Sequence, residues 1–162
     1  MLEILKADLS DAGIINRLAH QIYYPTYTGI LSFDQMDFML GKSYTIEALR
    51  ESMVQDQHFY IVYENKLPVG FVSFFVKTDD ILRIEKLYLL PTTQGRGIGS
   101  EVIRFAEKIA IKYKSSILEL NVNRGNNAYY FYLKMGFEVV EKVDIPYFGY
   151  VLDDYVMQMK ID

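Results

Sequence analysis

The sequence predicts a mixed α/β protein, with a central sheet of about seven strands and helices on both faces, in one domain over residues 1–162. Three observations predict it. Short β-branched and aromatic runs alternate with stretches of helical spacing. Turn residues punctuate these runs singly instead of gathering into a linker, so no internal boundary is drawn. The chain is 51% hydrophobic and 23% charged, enough apolar material for one sizeable core.

Leu2 to Lys6 reads as a short strand. Ser10 can cap a helix carrying Ile14, Ile15, Leu18 and Ile22, which Pro25 ends or kinks. Ser32-Phe33-Asp34-Gln35 has the S-x-x-Q form of a capping box, and Leu31 and Met36 are spaced for a hydrophobic staple. A third short helix follows Thr45, marked by Ile46, Leu49 and Met53. Strands come next: His58 to Glu64, a turn at Asn65-Lys66, then Val69 to Val76 as hairpin partner, and Ile81 to Leu90 after a second turn. Beyond Pro91 lies a glycine-rich loop, then a helix with the apolar stripe Ile98, Val102, Phe105 and Ile109. Ile117 to Val122 reads as a buried strand and Asn126 to Met135 as a helix capped by Gly136. Phe137 to Val143 and Tyr150 to Met159 close the sheet.

Composition excludes several chemistries. With no cysteine there is no disulfide framework, thiolate metal site or cysteine nucleophile. Two histidines, His20 and His58, do not make a histidine-rich metal site, so no metal is expected and both are read as structural. No signal peptide and no run of about 18 apolar residues is visible, which leaves a cytoplasmic protein as the expectation, with no membrane partner. The formal charge of −4 disfavours nucleic acid as partner and is compatible with a cationic substrate.

Chemistry concentrates where the strand ending Leu87-Tyr88-Leu89-Leu90-Pro91 runs into Gln94-Gly95-Arg96-Gly97-Ile98-Gly99-Ser100. A glycine-rich turn opening a helix aims unpaired amides, backed by the helix dipole, at one point. Arg96 can add a charge-assisted contact. The pattern therefore points to phosphate or pyrophosphate, against the plainer reading of a tight strand-to-helix connection. No Gly-Lys-Ser/Thr follows for a Walker loop, and the third glycine of a dinucleotide fingerprint is absent.

Gln94-x-x-Gly97-x-Gly99 resembles the acetyl-CoA motif of the GNAT superfamily of N-acetyltransferases. A second stretch, Asn126-Asn127-Ala128-Tyr129-Tyr130-Phe131-Tyr132-Leu133-Lys134-Met135-Gly136-Phe137, resembles that family's N-x-x-A-x-x-[FL]-Y-x-K-x-G-F. The resemblance implies the GNAT fold, with strands splayed at the acetyl-CoA slot and acetyl-CoA as cosubstrate. It assigns the pantetheine arm to backbone groups of Leu87, Tyr88 and Leu89, and the pyrophosphate to the loop Gln94, Gly95, Arg96, Gly97, Ile98, Gly99 and Ser100. The family asparagine falls on Gly125 here, so Asn126 is expected to contact CoA, with Asn123 in reserve.

The same resemblance makes Tyr132 the acid facing the CoA sulfur. Glu85 is the expected base, through water, because strict alternation would set it on one face with Leu87 and Leu89. A backbone N–H of Leu89 or Leu87 is the expected oxyanion donor. The acceptor is expected to be a primary amine, a small amine or polyamine by similarity to bacterial polyamine acetyltransferases, held by Tyr24, Tyr27 and Glu85. Acetylation of protein N-termini or lysines, and a non-catalytic acetyl-CoA-binding module, are the alternatives. Asp153-Asp154 could line the acceptor site but is read first as a solvated strand edge, and Tyr147-Phe148-Gly149-Tyr150 as pocket rim or homodimer contact.

Overall fold

The computed structural model describes residues 1–162. Seven strands and five α-helices follow one another: β1 (Leu2–Lys6), α1 (Ala12–Tyr27), α2 (Phe33–Ser43), α3 (Ile46–Gln55), β2 (His58–Glu64), β3 (Leu67–Val76), β4 (Ile81–Leu89), α4 (Ile98–Lys112), β5 (Ile117–Asn123), α5 (Ala128–Met135), β6 (Glu138–Tyr147) and β7 (Tyr150–Lys160). They match the elements expected from the sequence. The sheet order is β1-β2-β3-β4-β5-β7-β6, antiparallel except where β4 lies parallel to β5. Helices α1, α2 and α3 cover one face, and α4 and α5 cover the other.

β3 shows why both faces are needed. Phe71 packs among the α1–α3 side chains and Phe74 among those of α4, and both are fully buried. A strand covered on both sides reads as an almost unbroken apolar run, as Val69 to Val76 does. Each such phenylalanine contributes about 2–3 kcal/mol by leaving water.

Three local expectations change. Ser10 does not cap α1: it lies in a short 3-10 turn capped by Asp8, and Asp11, which precedes α1, makes no side-chain cap bond. Pro25 does not end α1, which runs two residues further to Tyr27. So close to the helix end, proline removes a single ladder bond, and the amides of Thr28, Ile30 and Leu31 still return to Tyr24 and Tyr27. At Ser32 only half of the capping box forms. Its hydroxyl accepts from the Gln35 amide at 3.1 Å, while the Gln35 side chain turns to the Met39 sulfur instead of returning to the cap.

The sheet is interrupted at one functionally decisive place. β4 and β5 pair only from Ile81↔Ile117 to Ile84↔Leu120, although both strands continue. Beyond that point they part. On the other side of β4, the register with β3 slips between Ser73↔Lys86 and Phe74↔Ile84, leaving Glu85 as an unpaired bulge residue. A bulge bends its strand and raises the local twist, so the slip and the parting of the strands fall at one level.

Candidate active site

The loop between β4 and α4 is a cradle of amides. Gly95 and Gly97 both have φ of +77°, a left-handed conformation that a side chain strains against. Neither would meet a neighbour through an added Cβ, so conformation alone selects glycine there. Gly99 answers to a different demand, since a Cβ would come within 3.0 Å of the Phe131 ring. The result is that the amides of Gly95, Arg96, Gly97, Ile98, Gly99 and Ser100, six in succession, donate to no protein acceptor. The N-terminus of α4 has no side-chain cap either. Partial positive charge from these groups and from the helix dipole remains available to an anion. Beside them a cleft of about 410 Å³ is lined by Glu64, Arg96, Gly97, Ser100 and Arg104 among others.

Not every expected phosphate ligand is free. The Arg96 guanidinium bonds Glu64 at 2.7 Å and the Thr92 carbonyl at 3.1 Å, so its backbone, not its side chain, faces the cradle. The exposed Gln94 side chain makes no bond to protein, and its amide returns to the Pro91 carbonyl. The two asparagines also separate. Asn123 is occupied at both ends, accepting from the Gly125 amide and donating to Asp153. Asn126 accepts from the Ala128 amide at 2.9 Å through Oδ1, leaving its NH₂ without a protein partner.

Next to the cradle lies the gap between β4 and β5. The Leu90 amide donates to Val69 on the β3 side at 2.8 Å. Strand alternation then turns the Leu87 and Leu89 amides the other way, toward the gap. Tyr132 of α5 borders the same core, 8% exposed, packed against Phe131 and Phe137. Its hydroxyl bonds to no protein atom, and burial pushes the phenol well above its ordinary range. The group is a neutral donor at any physiological pH.

Glu85 departs from its expected face. Leu82 and Ile84 pack with α4 and α5, and so do Leu87 and Leu89, whereas Lys86 and Tyr88 turn to the opposite face. The bulge at Glu85 absorbs the change of parity. Its carboxylate meets Arg83 Nε at 2.9 Å, and Arg83 also bonds Glu119 at 3.0 Å and Asn121 at 2.8 Å. Glu85 therefore stands with the α1–α3 side and not with Leu87 and Leu89.

That side carries a dense set of phenols. Tyr23, Tyr44, Tyr88 and Phe71 pack with centroids 5.4–6.4 Å apart, and Tyr27 lies 4.9 Å from Tyr23. The Tyr27 and Tyr88 hydroxyls bond at 2.9 Å. Burial raises all of these phenols, Tyr23 to about 12. Tyr24 is not among them. Three residues before Tyr27, it projects toward α2, where its hydroxyl donates to Asp37 at 2.6 Å and its ring stacks on Phe33. It ties α1 to α2, and the expectation that it shares a pocket with Tyr27 and Glu85 is corrected accordingly.

The C-terminal hairpin closes this region. Phe38 of α2 packs on Tyr147, Phe148 and Tyr150, which makes the hairpin tip a rim over the helices. The expectation of a solvated edge at Asp153-Asp154 fails, because β7 lies between β5 and β6. Asp154 is half-buried beside Asn121 and within electrostatic reach of Tyr23 and Tyr27. An acidic pair inside an otherwise apolar strand was the available signal. His58 and His20 are structural as expected, the first against Lys6 and Tyr113, the second on the Asn16 carbonyl. No group of three or more His, Cys, Asp or Glu side chains is arranged to hold a metal ion, and no helix is long and apolar enough to cross a membrane.

An anion cradle at the end of a strand that parts from its neighbour, with an unpartnered phenol in the core on the same side, suits an acyl-CoA-dependent transferase, and comparison with known proteins agrees. The description "acetyltransferase (GNAT) domain" matches residues 27–145. The chain belongs to the GNAT acetyltransferase family; it is an N-acetyltransferase with acetyl-CoA as cosubstrate. It is 29% identical over 146 residues to a spermidine N(1)-acetyltransferase of Thermoplasma acidophilum, covering 85% of this chain and 89% of that one. The crystal structure of the PaiA N-acetyltransferase of Thermoplasma acidophilum in complex with coenzyme A superposes with a TM-score of 0.86 at 26% identity, over 99% of both chains. The ribosomal-protein-S18-alanine N-acetyltransferase of Escherichia coli shares the fold, with a TM-score of 0.74 at 14% identity over 100% of this chain and 95% of that one.

Proposed function

We propose that this enzyme acetylates a primary amine of a small, cationic acceptor by direct attack in a ternary complex. The observation that carries the reading is the pairing of six unpartnered amides at the start of α4 with the unpartnered Tyr132 hydroxyl across the β4–β5 gap. The likeness to a spermidine acetyltransferase over most of both chains supports a polyamine acceptor.

Each residue then has a task. The Gly95–Ser100 amides hold the pyrophosphate, and the Asn126 NH₂ donates to the carrier from the facing side. Leu87 and Leu89 offer strand-edge amides to the pantetheine arm, and one of them donates to the thioester oxygen as charge gathers there. An amine of ordinary pKa about 10.4 must lose a proton before attack, which costs roughly 4–5 kcal/mol at pH 7. Glu85 takes that proton through water. The nitrogen forms its bond to the acetyl carbon, the carbon–sulfur bond breaks, and Tyr132 donates its proton to the departing thiolate, to be reprotonated from solvent. Tyr27 offers a ring face to the acceptor ammonium, an attraction worth about 0.5–2 kcal/mol.

The test is thiol release over an amine panel containing spermidine, spermine, simple diamines, monoamines and short peptides. Turnover of di- and polyamines supports the reading. Turnover confined to peptides, or tight acetyl-CoA binding with no turnover on any amine, defeats it.

A further inference from the structure

On the polar face beneath the acceptor region, the chemistry above uses Glu85 but gives no role to the residues linked to it. Arg83, Glu85, Asn121 and Asp154 form a continuous chain of hydrogen bonds. Arg83 Nε meets Glu85 at 2.9 Å, Arg83 Nη1 meets the Asn121 carbonyl oxygen at 2.8 Å, and the Asn121 NH₂ donates to Asp154 Oδ2 at 3.3 Å. Two carboxylates are thereby fixed at opposite ends of a rigid spacer made of one arginine and one asparagine.

Their charge balance differs. Arg83 neutralises Glu85 and shares the buried Glu119 with Lys77. Arg124, the other cation near Asp154, directs Nη2 to Asp144 and Nη1 to the carbonyls of Val143 and Asp154. Asp154 is left with a single amide donor and no ion pair. Burial, with Asp153 adjoining, raises its carboxyl against the pull of Asn121, Arg83 and Arg124. An unpaired, half-buried carboxylate is unfavourable in a free protein and is relieved by a bound cation.

Independent of Asp154, the Tyr132 hydroxyl is an unpartnered group in a residue more than nine-tenths buried. It lies, like Asp154, within electrostatic reach of Tyr27. The reacting end and the carboxylate thus both act electrostatically on one phenol. β7 is two strands from β4, roughly 10 Å away at ordinary strand spacing, and farther here because Asp154 lies opposite Asn123, beyond the point where β4 and β5 part. Side chains reaching in from both ends leave a span suited to an acceptor with two amino groups separated by a few methylenes.

Resting on the small-amine reading above, we propose that Asp154 binds the second, non-reacting ammonium of a di- or polyamine and so sets the enzyme's preference for acceptors with two or more positive charges. Asn121 holds the carboxylate in place from the spacer side.

Steady-state kinetics of Asp154→Asn test this with spermidine and with butylamine, which has one amino group. The expected result is a 10- to 100-fold rise in KM for spermidine, with KM for acetyl-CoA and kcat/KM for butylamine within about twofold of wild type. Asp154→Glu restores part of the spermidine affinity. Asp144→Asn, which removes a charge from the exposed pair with Arg124, leaves KM within about twofold. In thermal melts without substrate, Asp154→Asn unfolds at a higher temperature than wild type and loses the upward shift given by spermidine. The acetyl-CoA shift persists, which shows the variant folded. An unchanged spermidine KM, or an equal loss for spermidine and butylamine, overturns the assignment of Asp154. Failure of wild type to acetylate any amine overturns it too, but through the small-amine reading, and is told apart because it precedes any mutation.

Discussion

The two sides of the gap between β4 and β5 are built from different materials. The cradle at the start of α4 is backbone: its donors are amides, its shape follows from Gly95 and Gly97 at positive φ, and one short stretch of chain supplies it. The α1–α3 side is made of side chains drawn from α1, β4, β5 and β7, joined by hydrogen bonds between residues 33 to 61 positions apart. A backbone cradle recognises what every acetyl-CoA has in common. A wall of side chains can vary with the acceptor while the fold persists, and the fold is shared with a protein whose acceptor is a ribosomal protein's alanine.

If that contrast is sound, damage to the two sides separates cleanly. The largest effect is expected at Glu119, 1% exposed and bonded to Lys77, Arg83 and Gln158. Glu119→Leu breaks a buried pair and leaves Arg83 short of a partner, so stability in urea falls by about 3 kcal/mol. The pH dependence has a definite sign. Burial alone would raise this carboxyl, and the bonds from Lys77, Gln158 and Arg83 outweigh it and hold it below the usual 4.5. The folded carboxylate resists protonation more than the unfolded one. Its contribution is therefore present above about pH 4.5, is lost as pH falls through the folded value, and is missing from Glu119→Leu throughout.

Tyr132→Phe comes next, with kcat reduced about 100-fold and the acetyl-CoA melting shift retained, because the cradle is untouched. Equal losses in turnover and binding would instead make Tyr132 a packing residue. Gly97→Ala strains the cradle by roughly 1–2 kcal/mol, which weakens acetyl-CoA about tenfold by titration calorimetry and leaves the amine KM alone. A matching loss of amine affinity would show the two sides to be coupled. Tyr24→Phe is the smallest: it removes the exposed bond to Asp37, and the expected loss of stability is under about 1 kcal/mol with unchanged preference among amines.

Legibility in the sequence follows the same division. The cradle was readable because glycine spacing, a preceding strand and a following amphipathic helix are all local. The free Asn126 NH₂ lies in an equally local stretch. Glu85 was placed on the wrong face because alternation holds only while register holds, and the slip opposite Ser73 and Phe74 has no signature in β4 itself. Tyr24 and Tyr27 look equivalent in a tyrosine-rich segment, and only the position of α2 separates them. The solvated-edge reading of Asp153-Asp154 failed because adjacency of β7 to both β5 and β6 depends on the order in which strands assemble.

By itself the sequence determined the element order and the glycine-rich amide cradle, since each depends on residues close together in the chain. The tertiary structure alone decided how the sheet face beneath α1–α3 is charged. Whether Glu85, Asn121 and Asp154 meet, and which of them keeps an unpaired charge, depends on where β4 and β5 part and on β7 lying beside β5. Both are outcomes of long-range pairing, which no local pattern encodes.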